Sequence, residues 1–190
     1  DISCIGKCSL TVALPIISAC GVETAVIPTA VLSTHTAFDG FTFRDLTDEI
    51  LPIAAHWKAQ SMAVDAIYTG YLGSFRQLEI VSQFFDQFKT PENLILIDPA
   101  MADNGALYAG FTPEFVQEMA KLCGKADIIV PNLTEACILL GEPYNPMPLT
   151  RAQAKSMLAR LSEKGPKKIV ITGVSLAEGN MANIGYDQQH

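Results

Sequence analysis

Four short apolar runs in the chain each end on a polar residue. They are Val64–Tyr68 running into Thr69 and Gly70, Asn93–Ile97 into Asp98, Asp127–Val130 into Pro131 and Asn132, and Lys168–Ile171 into Thr172 and Gly173. Continuous β-branched runs separated by helical patterns predict parallel strands buried on both faces. Ligands of such sheets bind outside the carboxyl ends of the strands. Thr69, Asp98, Asn132 and Thr172 are therefore expected along one edge.

The remaining pattern alternates with these runs. Ser9 to Cys20 reads as a helix with Ser9 as its cap and Gly21 as its stop, Pro15 notwithstanding. A strand is expected over Ala25–Val31, and helices at about 46–62, 74–88, 113–123, 133–140 and 151–164. Phe75, Leu78, Val81, Phe84, Phe85 and Phe88 recur at helical spacing, a stripe that reads as packing against the sheet. After Thr172 the chain turns rich in glycine and asparagine, which predicts a polar hairpin at the sheet's edge. No repeat, low-complexity tract or linker interrupts residues 1–190. The expectation is one α/β domain, with a mainly parallel central sheet and helices on both faces. Dehydrogenases, flavodoxin-like proteins, P-loop enzymes and several kinase families share that architecture, so it does not select a function.

Composition narrows the partners. At 190 residues, 49% of them hydrophobic, the chain can bury one sizeable core. Its net charge of −7 offers no general attraction to nucleic acid or anionic membrane. The uncharged stretch from Thr24 to Phe38 carries prolines, threonines, a serine and a histidine, a poor match to a membrane span. Cys4, Cys8, Cys20, Cys123 and Cys137 are odd in number and form no C-x-x-C pair, which points to reduced, cytoplasmic thiols rather than a disulfide framework or zinc site. No secretory signal is visible, and the chain opens at Asp1 without an initiator methionine. No G-x-G-x-x-G follows a strand, and Gly6-Lys-Cys-Ser9 lacks the spacing of a P-loop.

Two strand ends carry the candidate chemistry, and each has two readings. In Asp98-Pro-Ala-Met-Ala-Asp103-Asn-Gly105, Asp98 before proline and Asp103-Asn-Gly are ordinary turn chemistry. Two carboxylates flanking a loop at the carboxyl edge of a parallel sheet also suit Mg2+, held directly or through water, while the ion neutralises phosphate oxygens. In Pro131-Asn132-Leu-Thr-Glu135, Asn132 with Glu135 three residues on is a helix cap. A carboxylate in a helix's first turn could equally hold metal-bound water near a triphosphate, where the helix-start amides favour phosphate. His56 beside Trp57 reads as packing or surface, and no histidine pair suggests a metal site.

Thr69-Gly-Tyr-Leu-Gly73, Asp98-Pro-x-Met-x-Asp103, Pro131-Asn-x-x-Glu135 and Val170-Ile-Thr172-Gly, in this order and at these intervals, resemble the ribokinase superfamily. Ser33-Thr-His35-Thr36 and Ala136-Cys-Ile-Leu-Leu140 bring the resemblance closest to pyridoxal kinases, with hydroxymethylpyrimidine kinases as near relatives. It covers essentially all 190 residues.

The resemblance implies ATP-dependent phosphorylation of the hydroxymethyl group of pyridoxal, pyridoxine or pyridoxamine in a homodimeric enzyme, with a monovalent cation as an optional further cofactor. It implies that Asp98 and Glu135 organise Mg2+ and its waters, that Asn132 lies beside the phosphates and that the Thr172 hydroxyl contacts them. Asp103 matches a second carboxylate near that site, and Tyr108 falls in the loop that covers the phosphates. Thr36 and Tyr71, with His35, match positions beside the vitamin ring. For these last residues turn, capping and packing roles stand as alternatives. The family also carries a Gly-Thr-Gly-Asp segment whose aspartate is the catalytic base, and a first strand ahead of the position of Asp1. The 190 residues hold neither, and the base aspartate is expected beyond His190. The chain is thus expected to be incomplete at both ends, and none of its carboxylates is assigned the role of base. A noncatalytic module that holds nucleotide or vitamin is the alternative of a different class, and hydroxymethylpyrimidine kinase is the alternative among enzymes.

Overall fold

The computed structural model describes residues 1–36 and 38–188. They pack as two compact units, one of Asp1–Ala63 with Tyr71–Phe84 and one of Val64–Gly70 with the residues from Phe85 onward. His190, beyond which the base aspartate is expected, lies outside the described residues. Among the described residues no helix is long and apolar enough to cross a membrane.

In the first unit β1 (Ile2–Ser3) runs parallel to β2 (Ala30–Leu32), and β3 (Phe43–Asp45) pairs antiparallel with β2. β1 is too short to leave a periodicity. The strand expected over Ala25–Val31 begins only at Ala30, because Pro28 has no N–H to give a ladder. Cys4 N–H donates to Leu32 O (2.9 Å), extending the β1–β2 pairing. Ser33 then closes the loop after β2: its N–H donates to Thr42 O (3.1 Å) and its Oγ accepts from Thr42 N–H (2.9 Å). That loop carries His35 and Thr36 at the carboxyl end of β2. The helices α1 (Leu10–Ala19) and α2 (Thr47–Ala59) fall close to their expected positions. Ser9 precedes α1 without capping it. Its φ of 54° is left-handed, and its hydroxyl donates to Asp1 Oδ2 (3.0 Å) instead of accepting from the helix.

In the second unit the four apolar runs form β4 (Ala66–Thr69), β5 (Leu94–Ile97), β8 (Ile128–Ile129) and β9 (Lys168–Val174), mutually parallel. β10 (Ala182–Asp187) returns antiparallel along β9 as the polar hairpin, giving the order β10-β9-β8-β5-β4. Between β5 and β8 lies a small hairpin of β6 (Ala102–Asp103) and β7 (Ala106–Leu107). The helices are α3 (Phe75–Phe88), which begins in the first unit, α4 (Pro113–Cys123), α5 (Leu133–Leu140) and α6 (Arg151–Ser162). The α/β architecture with a mainly parallel central sheet is the expected one.

Burial on both strand faces is not observed. Ile67, Ile95, Ile97, Ile169 and Ile171 are buried, whereas Tyr68 and Leu94 keep 48% and 45% of their surface exposed. Successive side chains of a strand point to opposite faces, and an apolar run does not say whether both are covered. The α3 stripe likewise loses its first member: Leu78, Val81, Phe84, Phe85 and Phe88 are buried, while Phe75 is 49% exposed. On the buried side α5 and α6 pack against β9, with Ala136, Met157 and Leu161 in the core.

Ile171, fully buried and next to Thr172, anchors the carboxyl end of β9. Ile171→Ala is expected to cost about 2–5 kcal/mol through lost burial and a residual cavity, read as a lower midpoint in denaturant titration at unchanged m-value.

Candidate phosphate-binding edge

The polar residues that end the apolar runs meet along one edge because the sheet's ladder continues past the strands. Asp98 N–H donates to Thr69 O, Val130 N–H to Ile97 O and Thr172 N–H to Pro131 O, each at 2.9 Å. An isolated parallel bridge then pairs Asn132 with Thr172. At this edge an open cavity of about 190 Å3 is lined by Asp98, Tyr108, Asn132, Glu135 and Thr172, together with Ala100 and Val130. Asp103 is not among the lining residues. It is exposed on the hairpin, where its carboxylate accepts from Asn104 N–H (2.8 Å) and Asn104 Nδ2 (3.0 Å). His35, Thr36 and Tyr71 belong to the first unit. There the His35 ring meets Phe38 edge-on at 4.9 Å, Thr36 is exposed and Tyr71 is partly buried.

Glu135 organises the cavity wall. Its carboxylate is 1% exposed, and both oxygens are engaged. Oε2 accepts from Asn132 N–H (2.9 Å) while Asn132 Oδ1 accepts from Glu135 N–H (3.0 Å), a capping box at the start of α5. Oε1 accepts from Met101 N–H (2.9 Å) and Ala102 N–H (3.4 Å), partners that no local spacing foretells. Asn132 Nδ2 donates to Ala102 O (2.8 Å), Gly105 N–H donates to Thr134 Oγ1 (3.0 Å), and Tyr108 N–H donates to Met101 O (2.9 Å). The first turn of α5 thus holds the β6–β7 hairpin, and the hairpin delivers Tyr108 to the cavity. Asn104 (φ 49°) and Gly105 (φ 81°) form the tight two-residue turn that an Asn-Gly pair favours. A Cβ on Gly105 would lie 2.8 Å from the ring of Tyr144, so conformation and space both demand glycine there.

The cavity is electrostatically negative, for its lining holds two carboxylates and no lysine or arginine. Burial pushes the Asp98 carboxyl above the ordinary carboxylate range. Burial also raises Glu135, against the pull of its amide bonds, and the Asp98 charge adds to the rise. Burial raises the Tyr108 hydroxyl, with Glu135, Asp103 and Asp98 contributing. The Cys123 thiol is pushed up to about 12 by burial, with Glu135 and Asp98 adding, so it is an inert neighbour.

Among the described residues no group of three or more His, Cys, Asp or Glu side chains could enclose a metal. The donor set does fit an ion such as Mg2+, which binds through one or two carboxylates and completes its shell with water and substrate phosphate. Asp98 Oδ1 accepts from Ala100 N–H (3.2 Å), and among the described residues no hydrogen bond reaches Oδ2.

The sequence matches the phosphomethylpyrimidine kinase family over residues 13–190. The chain belongs to that family. It is 32% identical over 163 residues to the pyridoxal kinase PdxY of Pasteurella multocida, a match covering 82% of this chain and 54% of that protein. A candidate phosphomethylpyrimidine kinase from Bacteroides thetaiotaomicron, solved in two crystal forms, one of them with pyridoxal, is 48% identical over the whole of this chain. The TM-scores are 0.95 and 0.93, and the chain covers 65% and 66% of the two solved chains. Pyridoxal kinase from Lactobacillus plantarum is 32% identical, with a TM-score of 0.83 over 98% of this chain and 70% of its own. The chain thus spans about half the length of the curated relative from Pasteurella and about two thirds of the solved Bacteroides protein. Membership in the phosphomethylpyrimidine kinase family accounts for the mainly parallel sheet and for the order of the strand-end motifs along it.

Glu135→Gln separates a buried acceptor from a bystander. Glutamine brings one acceptor oxygen and turns an NH2 toward backbone N–H groups that now meet oxygen, so about 1–3 kcal/mol of stability should be lost. The expected signature is local: amide protons of Met101 and Ala102 exchange faster, while those in the middle of α6 follow only the global change.

Proposed function

We propose that the protein transfers the γ-phosphoryl group of ATP to the hydroxymethyl group of pyridoxal, pyridoxine or pyridoxamine, with Mg2+. The observation that carries this reading is the acidic cavity at the sheet edge where Asp98, Tyr108, Asn132, Glu135 and Thr172 meet. It gains support from the 48% identity to a Bacteroides protein crystallised with pyridoxal. A cavity of about 190 Å3 suits phosphate groups and their waters, being smaller than the ~300 Å3 at which pockets for whole drug-sized ligands begin.

In this reading Asp98 offers its open carboxylate oxygen to the ion, and the buried Glu135 charge strengthens the field at the same place. Mg2+, when bound, neutralises phosphate charge as it develops during transfer. Asn132 keeps one amide hydrogen beyond the one given to Ala102 O. The Thr172 hydroxyl, held in register with Asn132, donates to phosphate oxygen, and Tyr108 shields the cavity. These groups position charge rather than form bonds, which is what phosphoryl transfer demands. The alcohol is assigned to Thr36, Tyr71 and His35. The proton that leaves the hydroxymethyl oxygen is assigned to none of Asp98, Asp103 or Glu135, whose oxygens are committed to the ion, a turn and three amides. Its acceptor is assigned to an aspartate beyond His190.

The family's description favours a second reading, phosphorylation of a hydroxymethylpyrimidine or its phosphate. A panel of vitamin B6 forms and hydroxymethylpyrimidine with MgATP, followed by separation of product from alcohol, decides between them. Faster turnover of the pyrimidine than of any B6 form would replace the first reading with the second. Thr172→Val keeps branching and volume but removes the donor. Nucleotide binding or transfer should weaken by roughly 1–3 kcal/mol, with affinity for the vitamin alone unchanged.

Asp98 also gives a pH test. A carboxyl whose folded pKa is raised keeps its proton longer in the folded state than in the unfolded state, so stability is lost as pH rises from the ordinary carboxylate range through the folded value. Asp98→Asn removes that loss. The variant should be more stable than the parent above neutrality and gain little in acid, in metal-free thermal melts, while losing Mg-dependent turnover. Equal melts at every pH would show that the Asp98 charge carries no burial cost.

A further inference from the structure

Gln77 stands at the third position of α3, after Ser74-Phe75-Arg76, where a glutamine ordinarily reaches back to cap the helix's own start. Half of that device is present, for Ser74 Oγ accepts from Gln77 N–H (3.2 Å). The side chain instead turns inward and is only 3% exposed. Its Oε1 accepts from Gly73 N–H (2.8 Å), and its Nε2 donates to Thr47 Oγ1 (2.8 Å) and Thr29 O (3.3 Å). Thr47 is in turn fixed by Asp45 Oδ1, which accepts from its N–H (2.8 Å) and its hydroxyl. That pairing holds the Asp45 carboxyl below its usual range. One buried amide therefore ties the approach to β2, the first residue of α2 and the loop before α3, all within the first unit.

The loop end is consequential because Gly73 meets Tyr71. A Cβ at Gly73 would lie 3.2 Å from Tyr71 Cε1 and 3.3 Å from its hydroxyl oxygen, with no other residue among its three nearest atoms. The backbone of Gly73 does not require glycine, as its φ is not positive. What favours it is the ring of Tyr71 lying over it, which a Cβ would push back by a few tenths of an ångström. We propose that Gln77 is a positioning residue: by holding Gly73 N–H it sets the height of the bare Gly73 surface on which the Tyr71 ring rests, and so tunes affinity for the alcohol substrate. This rests on the reading that Tyr71 borders that substrate.

The test uses the intact chain with isotope-labelled tyrosine rings, the Tyr71 signal being assigned from Tyr71→Phe. Gly73→Ala adds a methyl group under the ring. Gln77→Met keeps the length of the side chain but removes the acceptor for Gly73 N–H together with both donations. Without ligand, both variants should shift the Tyr71 ring signal and leave those of Tyr144 and Tyr186 in place. In titrations, pyridoxal should bind about tenfold more weakly, the scale of one lost hydrogen bond, with ADP affinity unchanged. A lowered melting temperature with an unmoved Tyr71 signal would make Gln77 a merely structural residue and overturn the proposal. A shifted ring with unchanged pyridoxal affinity would also overturn it. Should the parent bind hydroxymethylpyrimidine in place of pyridoxal, the substrate reading fails separately, and the same titrations with that alcohol decide the role of Gln77.

Discussion

Much of the second unit hangs on a carboxylate that water does not reach. Glu135 accepts from the N–H groups of Asn132, Met101 and Ala102, and through them the start of α5, the β6–β7 hairpin and the edge of β8 become one object. Burying a charge is costly, and the raised pKa of Glu135 records that cost. The cost is tolerated because a carboxylate, with two oxygens and several lone pairs, can satisfy three amides at once; a neutral amide side chain cannot. Tyr108 and Asn132 reach the cavity only because this anchor holds.

The same anchor sets the cavity's electrostatics. Asp98 lies close enough for its charge to raise Glu135 further, and no lining residue offsets either acid. A phosphate-bearing ligand would therefore be repelled unless positive charge arrives with it. In the proposed reading the cation supplies the positive charge that the lining lacks, which distinguishes this edge from P-loop sites that meet phosphate with a lysine of their own.

Where the sequence was legible, the signal was local and periodic. α4 and α5 begin and end as read because Thr112-Pro113, Asn132 with Glu135, and Gly141 in the left-handed region are stops that neighbours along the chain can specify. Thr69, Asp98, Asn132 and Thr172 share an edge because parallel strands bring the ends of their apolar runs to the same side. What escaped depends on distant partners. Glu135 read as a cap because Asn132 is three residues away, whereas Met101 is 34 residues away. Gln77 lies outside the apolar stripe of α3, and nothing in its sequence neighbourhood names Thr29 or Thr47. Local signals also mislead at two places: Pro28 delays β2 to Ala30 for want of an N–H, and Ser9 turns its hydroxyl to Asp1 instead of capping α1.

The β6–β7 hairpin is exposed at its tip, yet it does not have the freedom of a surface loop. Loops ordinarily absorb insertions and deletions because few of their atoms are committed. Here Gly105 is closed to other residues by its φ of 81° and by the Tyr144 ring, Thr134 holds its N–H, and Met101 and Ala102 both donate to one oxygen of a buried carboxylate. Adding or removing one residue between Met101 and Tyr108 would break the register in which β6 pairs with β7 and Tyr108 N–H reaches Met101 O. Length variation among homologous chains should thus be excluded from this tip and collect in segments such as 145–148, which are exposed and belong to no helix or strand.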